Sequence, residues 1–171
     1  IKFYAQNYTR RRSINFTNVN VAKRSAKPKP WDPANFSAHY AFNEILSRNV
    51  KTEINVEKNH RGGLSYIYNA NPKNITPFQN SQALSGKAFQ IIKDFNITPY
   101  PNYLSFRTDI TRYYNEVKTR NIDNPNLLIK PTFRKDFYWN RYYDLRWDIT
   151  KGLKFDFNAG NIARIDEPQG G

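Results

Sequence analysis

Between Phe137 and Thr150 the chain reads FYWNRYYDLRWDIT, and taken at every second residue it separates into two sets. Phe137, Trp139, Arg141, Tyr143, Leu145, Trp147 and Ile149 form one, apolar but for a single charge. Tyr138, Asn140, Tyr142, Asp144, Arg146, Asp148 and Thr150 form the other, which is polar. A period of two is the signature of a strand, whose successive side chains point to opposite faces of a sheet. The segment predicts a strand of about fourteen residues, well above the usual five or six.

The same alternation recurs upstream and downstream. From Asn35 to Leu46, Phe36, Ala38, Tyr40 and Phe42 oppose Ser37, His39 and Asn43; Leu64, Tyr66 and Tyr68 oppose Ser65 and Asn69. Between Tyr103 and Val117, Leu104, Phe106, Thr108 and Ile110 oppose Ser105, Arg107, Asp109 and Thr111. Leu153, Phe155 and Phe157 oppose Lys154, Asp156 and Asn158. Half-buried antiparallel strands sort this way. The last two runs, 132–150 and 153–159, read as a hairpin turning at Thr150-Lys151-Gly152. Proline removes a ladder donor and presets turns, so proline-rich stretches mark breaks. Loop excursions are expected at 24–34, 70–88 and 122–131, within one segment spanning 1–171. Only SQALSGKAFQIIKDF carries a helical stripe, and Gly86 interrupts it. The fold class expected is all-β, built from long amphipathic antiparallel strands.

Composition sharpens this picture. The chain holds 12 Tyr, 12 Phe and 3 Trp, with a thin aliphatic share, which suits sheet surfaces and interfaces better than a helical bundle. With 27 Lys plus Arg against 14 Asp plus Glu the net charge is +13, so its field favours anionic partners, or simply keeps an aromatic-rich sheet in solution. The absence of Cys removes disulfides, thiolate catalysis and thiolate metal sites together. The absence of Met, even at residue 1, suggests an internal or processed piece, with any export signal upstream of Ile1. No apolar run is long enough for a transmembrane helix, but a membrane β-strand needs only about ten alternating residues.

Candidate chemistry is sparse. His39 and His60 have no ligand-spaced partners, and His60 in KNHRGG reads as part of a basic turn, with Arg61-Gly62-Gly63 a hinge or bulge before the strand at Leu64. Asp144 and Asp148 lie about 13 Å apart along a strand at ~3.3 Å per residue, too far for a glycosidase pair. With Arg146, and with Arg107 and Asp109, they read as charge ladders linking neighbouring strands. Arg10-Arg11-Arg12 reads as a solvated edge. The aromatic positions alternate away from the charges, which argues against base stacking and hence against nucleic acid. No catalytic, cofactor or metal site is expected.

Four phrases, in order and spacing, carry a resemblance: RRSINFTNVNVAKR (11–24), YAFNEILSRNV (40–50), RGGLSYIYNANPKNITPF (61–78) and IKDFNITPYPNYLSFRTDITRYYNEVKTRN (92–121). Together they resemble the SprA/Sov family of Bacteroidetes, giant outer-membrane proteins that form the translocon of the type IX secretion system and support gliding motility. The resemblance implies a segment of the wall of one very large transmembrane β-barrel that passes folded cargo proteins to the cell surface. It implies other segments of the same barrel, accessory and plug proteins, secreted cargo and outer-membrane lipid as partners. In such a wall Arg107, Asp109, Asn140, Asp144, Arg146 and Asp148 would face the lumen, and Leu104, Phe106, Ile110, Trp139, Leu145 and Trp147 would face lipid or partner proteins. Trp139 and Trp147 would stand ~20 Å apart in height at a tilt near 40°, close to the spacing of aromatic girdles. Arg141 and Arg112 fall on the apolar sets, so the strands either outrun the bilayer or pack there on protein. The competing expectation is a free-standing soluble β-domain that binds an anionic glycan or protein through its basic surface.

Overall fold

In the computed structural model, residues 6–22, 29–79, 90–124 and 126–168 are described. Six strands follow one another: β1 (Tyr8–Asn20), β2 (Phe36–Arg48), β3 (Thr52–Asn69), β4 (Tyr103–Thr119), β5 (Thr132–Asp148) and β6 (Lys154–Ile165). They form one sheet in sequence order, every strand antiparallel to the next. Among the described residues one 3-10 turn (Pro33–Asn35) and one helical turn (Gln90–Lys93) interrupt the connections. The chain is all-β, and no described helix is long and apolar enough to cross a membrane.

Several local readings change. His60, Arg61, Gly62 and Gly63 lie in the middle of the eighteen-residue β3, paired in unbroken register with β2 and β4, and not in a turn or bulge. Tyr40 lies beside Gly62, and His39 and Asp109 fill the space over Gly63. β5 stops at Asp148, so the turn to β6 covers residues 149–153, closed by Thr150 N–H to Leu153 C=O and by the Thr150 hydroxyl accepting from Gly152 and Leu153 N–H. Residues 81–89 of the candidate helix lie outside the described residues, as do 24–28 of the first loop excursion.

Register carries the alternation of single strands across the whole sheet. On one face the partners run Ile14, Phe42, His60, Arg112, Phe137 and Ile165 from β1 to β6, and two residues further along Phe16, Tyr40, Gly62, Ile110, Trp139 and Ala163. Nearer the other end come Phe36, Tyr66, Phe106, Tyr143 and Ala159, then Tyr68, Leu104, Leu145 and Phe157. The opposite face carries rows such as Ser37, Ser65, Arg107, Tyr142 and Gly160. In β1 the pairing shifts between Phe16 and Val19, where Asn18 takes a φ of 51°. The extra residue is a β-bulge, and asparagine tolerates this left-handed conformation. It returns Val19 to the apolar face, opposite Ala38.

No hydrophobic side chain among the described residues is buried; the buried ones are Asp32, Thr98 and Asp136. The accessible surface is 13290 Å², whereas a compact chain of 20.2 kDa exposes about 8,800 Å². β1 and β6 are open edges, and β1 is almost wholly exposed. The β3–β4 connection closes over one end: Thr98 N–H donates to Ile149 C=O, Trp147 Nε1 donates to Thr98 C=O at 3.0 Å, and Lys151 N–H donates to Asn96 Oδ1.

Beyond β6, Glu167 receives Arg112 Nε and Nη2 at 2.8 and 2.9 Å, and these bonds hold its carboxyl below the usual carboxylate range. A depressed carboxyl pKa adds stability that is present above the ordinary range and is lost as pH falls through the folded value. The contact therefore survives mild acid and releases only below the ordinary carboxylate range. In Glu167→Gln this pH dependence disappears, and amide exchange of Asp166 and Glu167 measured against pH reads both effects.

Candidate functional site

The functional surface is the sheet itself, because one layer of backbone presents two faces of opposite character. On the polar face β4 brings Arg107 and Asp109 two residues apart, and the guanidinium Nε lies 3.0 Å from the carboxylate. Arg107 also lies over the Tyr142 ring, 4.6 Å from its centroid. Asn140 stands opposite Asp109 on β5. Asp144 accepts from Asn158 Nδ2 on β6, and Arg146 lies over Tyr103 on β4 at 5.5 Å. Asp148 closes the strand, its N–H donating to Asn102 Oδ1 at 2.9 Å. All six residues expected on the polar side thus share one face. The ladder links strands mostly through amide and aromatic partners, since Asp144 meets Asn158 and Arg146 meets Tyr103.

One ion contact does cross a strand. His39 of β2 and Asp109 of β4 approach to 3.6 Å over Gly63 of β3, which stands between them in the same row. A methyl group on Gly63 would collide with both the imidazole and the carboxylate. Glycine here is a window through which next-nearest strands touch.

Asp136 is the polar-face residue that the sequence pattern did not single out. It is 8% exposed and sits between Arg134 Nε at 2.9 Å and Arg164 Nη2 at 3.4 Å. Its signal was available, since Arg134-x-Asp136 repeats the spacing of Arg107-x-Asp109. The tyrosines require a further correction. Phe and Trp do sort away from the charges, but Tyr103, Tyr113, Tyr138 and Tyr142 share the polar face with Arg146, Arg134, Arg164 and Arg107 and lie under them. An amphipathic phenol packs its ring under a guanidinium and keeps its hydroxyl wet, so it sorts with the arginines.

On the other face Leu104 pairs with Leu145, Phe106 with Tyr143 and Ile110 with Trp139, and Trp147 pairs with Phe155. Leu104, Ile110 and Trp139 are exposed there. All six residues expected on the apolar side share this face. Several of its polar groups find partners within it or just beside it, whereas Arg10 Nε and Arg141 Nε are buried without a hydrogen-bond partner. Trp139 Nε1 donates to Thr108 Oγ1 at 2.7 Å, the Tyr40 hydroxyl and His60 Nδ1 lie 2.9 Å apart, and Tyr66 donates to Pro30 C=O. Arg141, central in this face, donates to Asn161 Oδ1 at 2.9 Å and stacks on Trp139 at 4.3 Å. Arg112 is held by Glu167.

Among the described residues no group of three or more His, Cys, Asp or Glu side chains is placed to hold a metal ion. His60 is engaged by Tyr40 and stacks on Phe42 with ring centroids 4.6 Å apart. The geometry builds a two-sided surface whose polar side is largely hydrogen-bonded, with Asn59 Oδ1 and Asn140 Oδ1 buried without a partner. Neither a protein-family model nor a curated protein sequence matches this chain.

Gly63→Ala is expected to push the His39 ring off Asp109 while leaving the strand register intact. The gain from alanine over glycine in a strand, about 0.5–1 kcal/mol, offsets a partly exposed contact worth at most about 1 kcal/mol. The unfolding free energy should therefore move by less than about 1 kcal/mol, while the His39 ring resonances shift clearly.

Proposed function

We propose that this chain is a section of the wall of a very large outer-membrane β-barrel, a protein-conducting translocon of the type IX secretion kind. Such a wall passes folded cargo to the cell surface and supports gliding motility. The observation that carries this reading is the sheet's lack of any interior: six long strands in one layer, two open edges, and no buried hydrophobic side chain among the described residues. A soluble domain must bury its apolar face on a second layer, whereas a barrel wall leaves that face to lipid.

Dimensions support the same reading. From the Phe137 row to Trp147 the apolar face runs ten residues, about 33 Å along the strands and ~25 Å in height at a tilt near 40°. The apolar band of an outer-membrane barrel is about 25 Å tall. Hydrocarbon also demands that polar groups be satisfied internally, which the Trp139–Thr108 and Tyr40–His60 bonds accomplish.

The polar face then lines the lumen. Arg107, Arg134, Arg146 and Arg164 are interleaved there with Asp109, Asp136, Asp144 and Asp148, so the surface is hydrated and close to neutral. A near-neutral wet wall holds no passing protein by charge of either sign, which suits transport of varied folded cargo. It also gives little purchase to a polyanion, so the stacked Arg–Tyr pairs do not favour nucleic acid. Catalysis and cofactors have no part in this reading, and the partners are neighbouring strands of the barrel, accessory and plug proteins, cargo and lipid.

Expressed by itself without detergent, the chain should aggregate through its edges and apolar face, and micelles should disperse it. A monodisperse monomer that melts cooperatively in plain buffer would sink the proposal in favour of a soluble basic β-domain. Arg141→Leu gives a second test. Arginine near mid-bilayer costs ~2–4 kcal/mol, so removing it should stabilise the sheet in micelles by about 1–3 kcal/mol once the Asn161 bond is subtracted. A loss of stability, read by urea unfolding, would place that face against water or protein.

A further inference from the structure

The positive charge of the sheet collects on the apolar face, at the end where the three-residue β2–β3 turn lies. Immediately past the Ile14–Phe42–Phe137 row the partners become Arg12, Glu44, Lys58, Tyr114 and Lys135, and the next row opens with Arg10. Glu44 is taken by Arg10 at 3.4 Å, and Glu116 accepts from the Tyr114 hydroxyl at 2.9 Å. Arg12 and Lys58 have no carboxylate partner among the described residues; Lys58 lies over the Tyr114 ring at 5.8 Å. One row further, Arg48 lies over Tyr8 at 4.8 Å. Arg12 and Lys58 thus share a row with Tyr114 immediately beyond the apolar band, at the level where a bilayer follows its acyl chains with interface and phosphate.

We propose that Arg12 and Lys58, supported by Arg10, form a docking surface for the phosphate headgroups of anionic bilayer lipid. Continuity with the apolar band and charge complementarity carry the assignment, which rests on the membrane-wall reading above. Arg11 supplies the internal contrast. It lies between Arg10 and Arg12 in sequence, yet it pairs with Ile45 and points to the polar face.

The test compares flotation of the detergent-dispersed chain with vesicles of phosphatidylcholine alone and of phosphatidylcholine and phosphatidylglycerol in equal parts. The native chain should prefer the anionic vesicles. Arg12→Gln with Lys58→Gln should lose about five-fold in that preference per cation, some twenty-five-fold together, whereas Arg11→Gln with Arg61→Gln, removing the same charge from the polar face, should lose less than about two-fold. Circular dichroism of each variant confirms that the strands persist. Equal losses from the two pairs would overturn the docking surface in favour of bulk charge, and displacement by inorganic phosphate would overturn it in favour of a free-anion site. Equal binding to both vesicle types, insensitive to either pair, overturns the headgroup surface but leaves the membrane wall standing; a native chain that floats with neither brings down both.

Discussion

Backbone pairing between six antiparallel strands is the interaction on which all else in this chain depends, because the described residues form no second layer to hold them together. Ladder hydrogen bonds fix the register, and register decides which of two faces every side chain takes. A polar group on the apolar face is best satisfied from within that face or from a loop that reaches it, as Trp139 is by Thr108 and Tyr66 by Pro30, while Arg141 is met only in part, through Nη2 to Asn161. Burying such groups without partners costs several kcal/mol each, so these pairs are what allow the face to be greasy at all.

The same constraint explains why charge is unevenly placed. On the polar face arginines alternate with carboxylates and settle on tyrosine rings, giving a surface rich in charge but nearly neutral. The excess cations lie elsewhere, around Arg10, Arg12 and Lys58, where few carboxylates answer them. A net charge of +13 read as a single number hides this division.

How much was legible depended on parity. β4 and β5 were readable because their alternation never slips, and the residues of β4 and β5 sorted from sequence alone share a face with their fellows as far as Asp148, where the strand gives way to the turn. β1 was not, since its apolar positions run Ile14, Phe16, Val19, and the step of three hides a strand until the bulge at Asn18 is known. The first half of β3 was obscured differently. Lys58, His60 and the two glycines look like a turn, and only cross-strand neighbours, with Tyr40 over Gly62 and His39 meeting Asp109 over Gly63, make them strand. The tyrosines misled because a phenol belongs to both combs, and its side is chosen by the arginine beside it.

Strand number has a consequence of its own. With six antiparallel strands, β1 begins and β6 ends at the same end of the sheet. At about 4.8 Å between neighbours, six strand widths measure roughly 29 Å across the sheet, the share of perimeter that such a section would supply to a closed barrel. Pairs of strands added or removed in this way would change the bore of a barrel in fixed steps while leaving its inside and outside, and the side on which its loops emerge, unaltered.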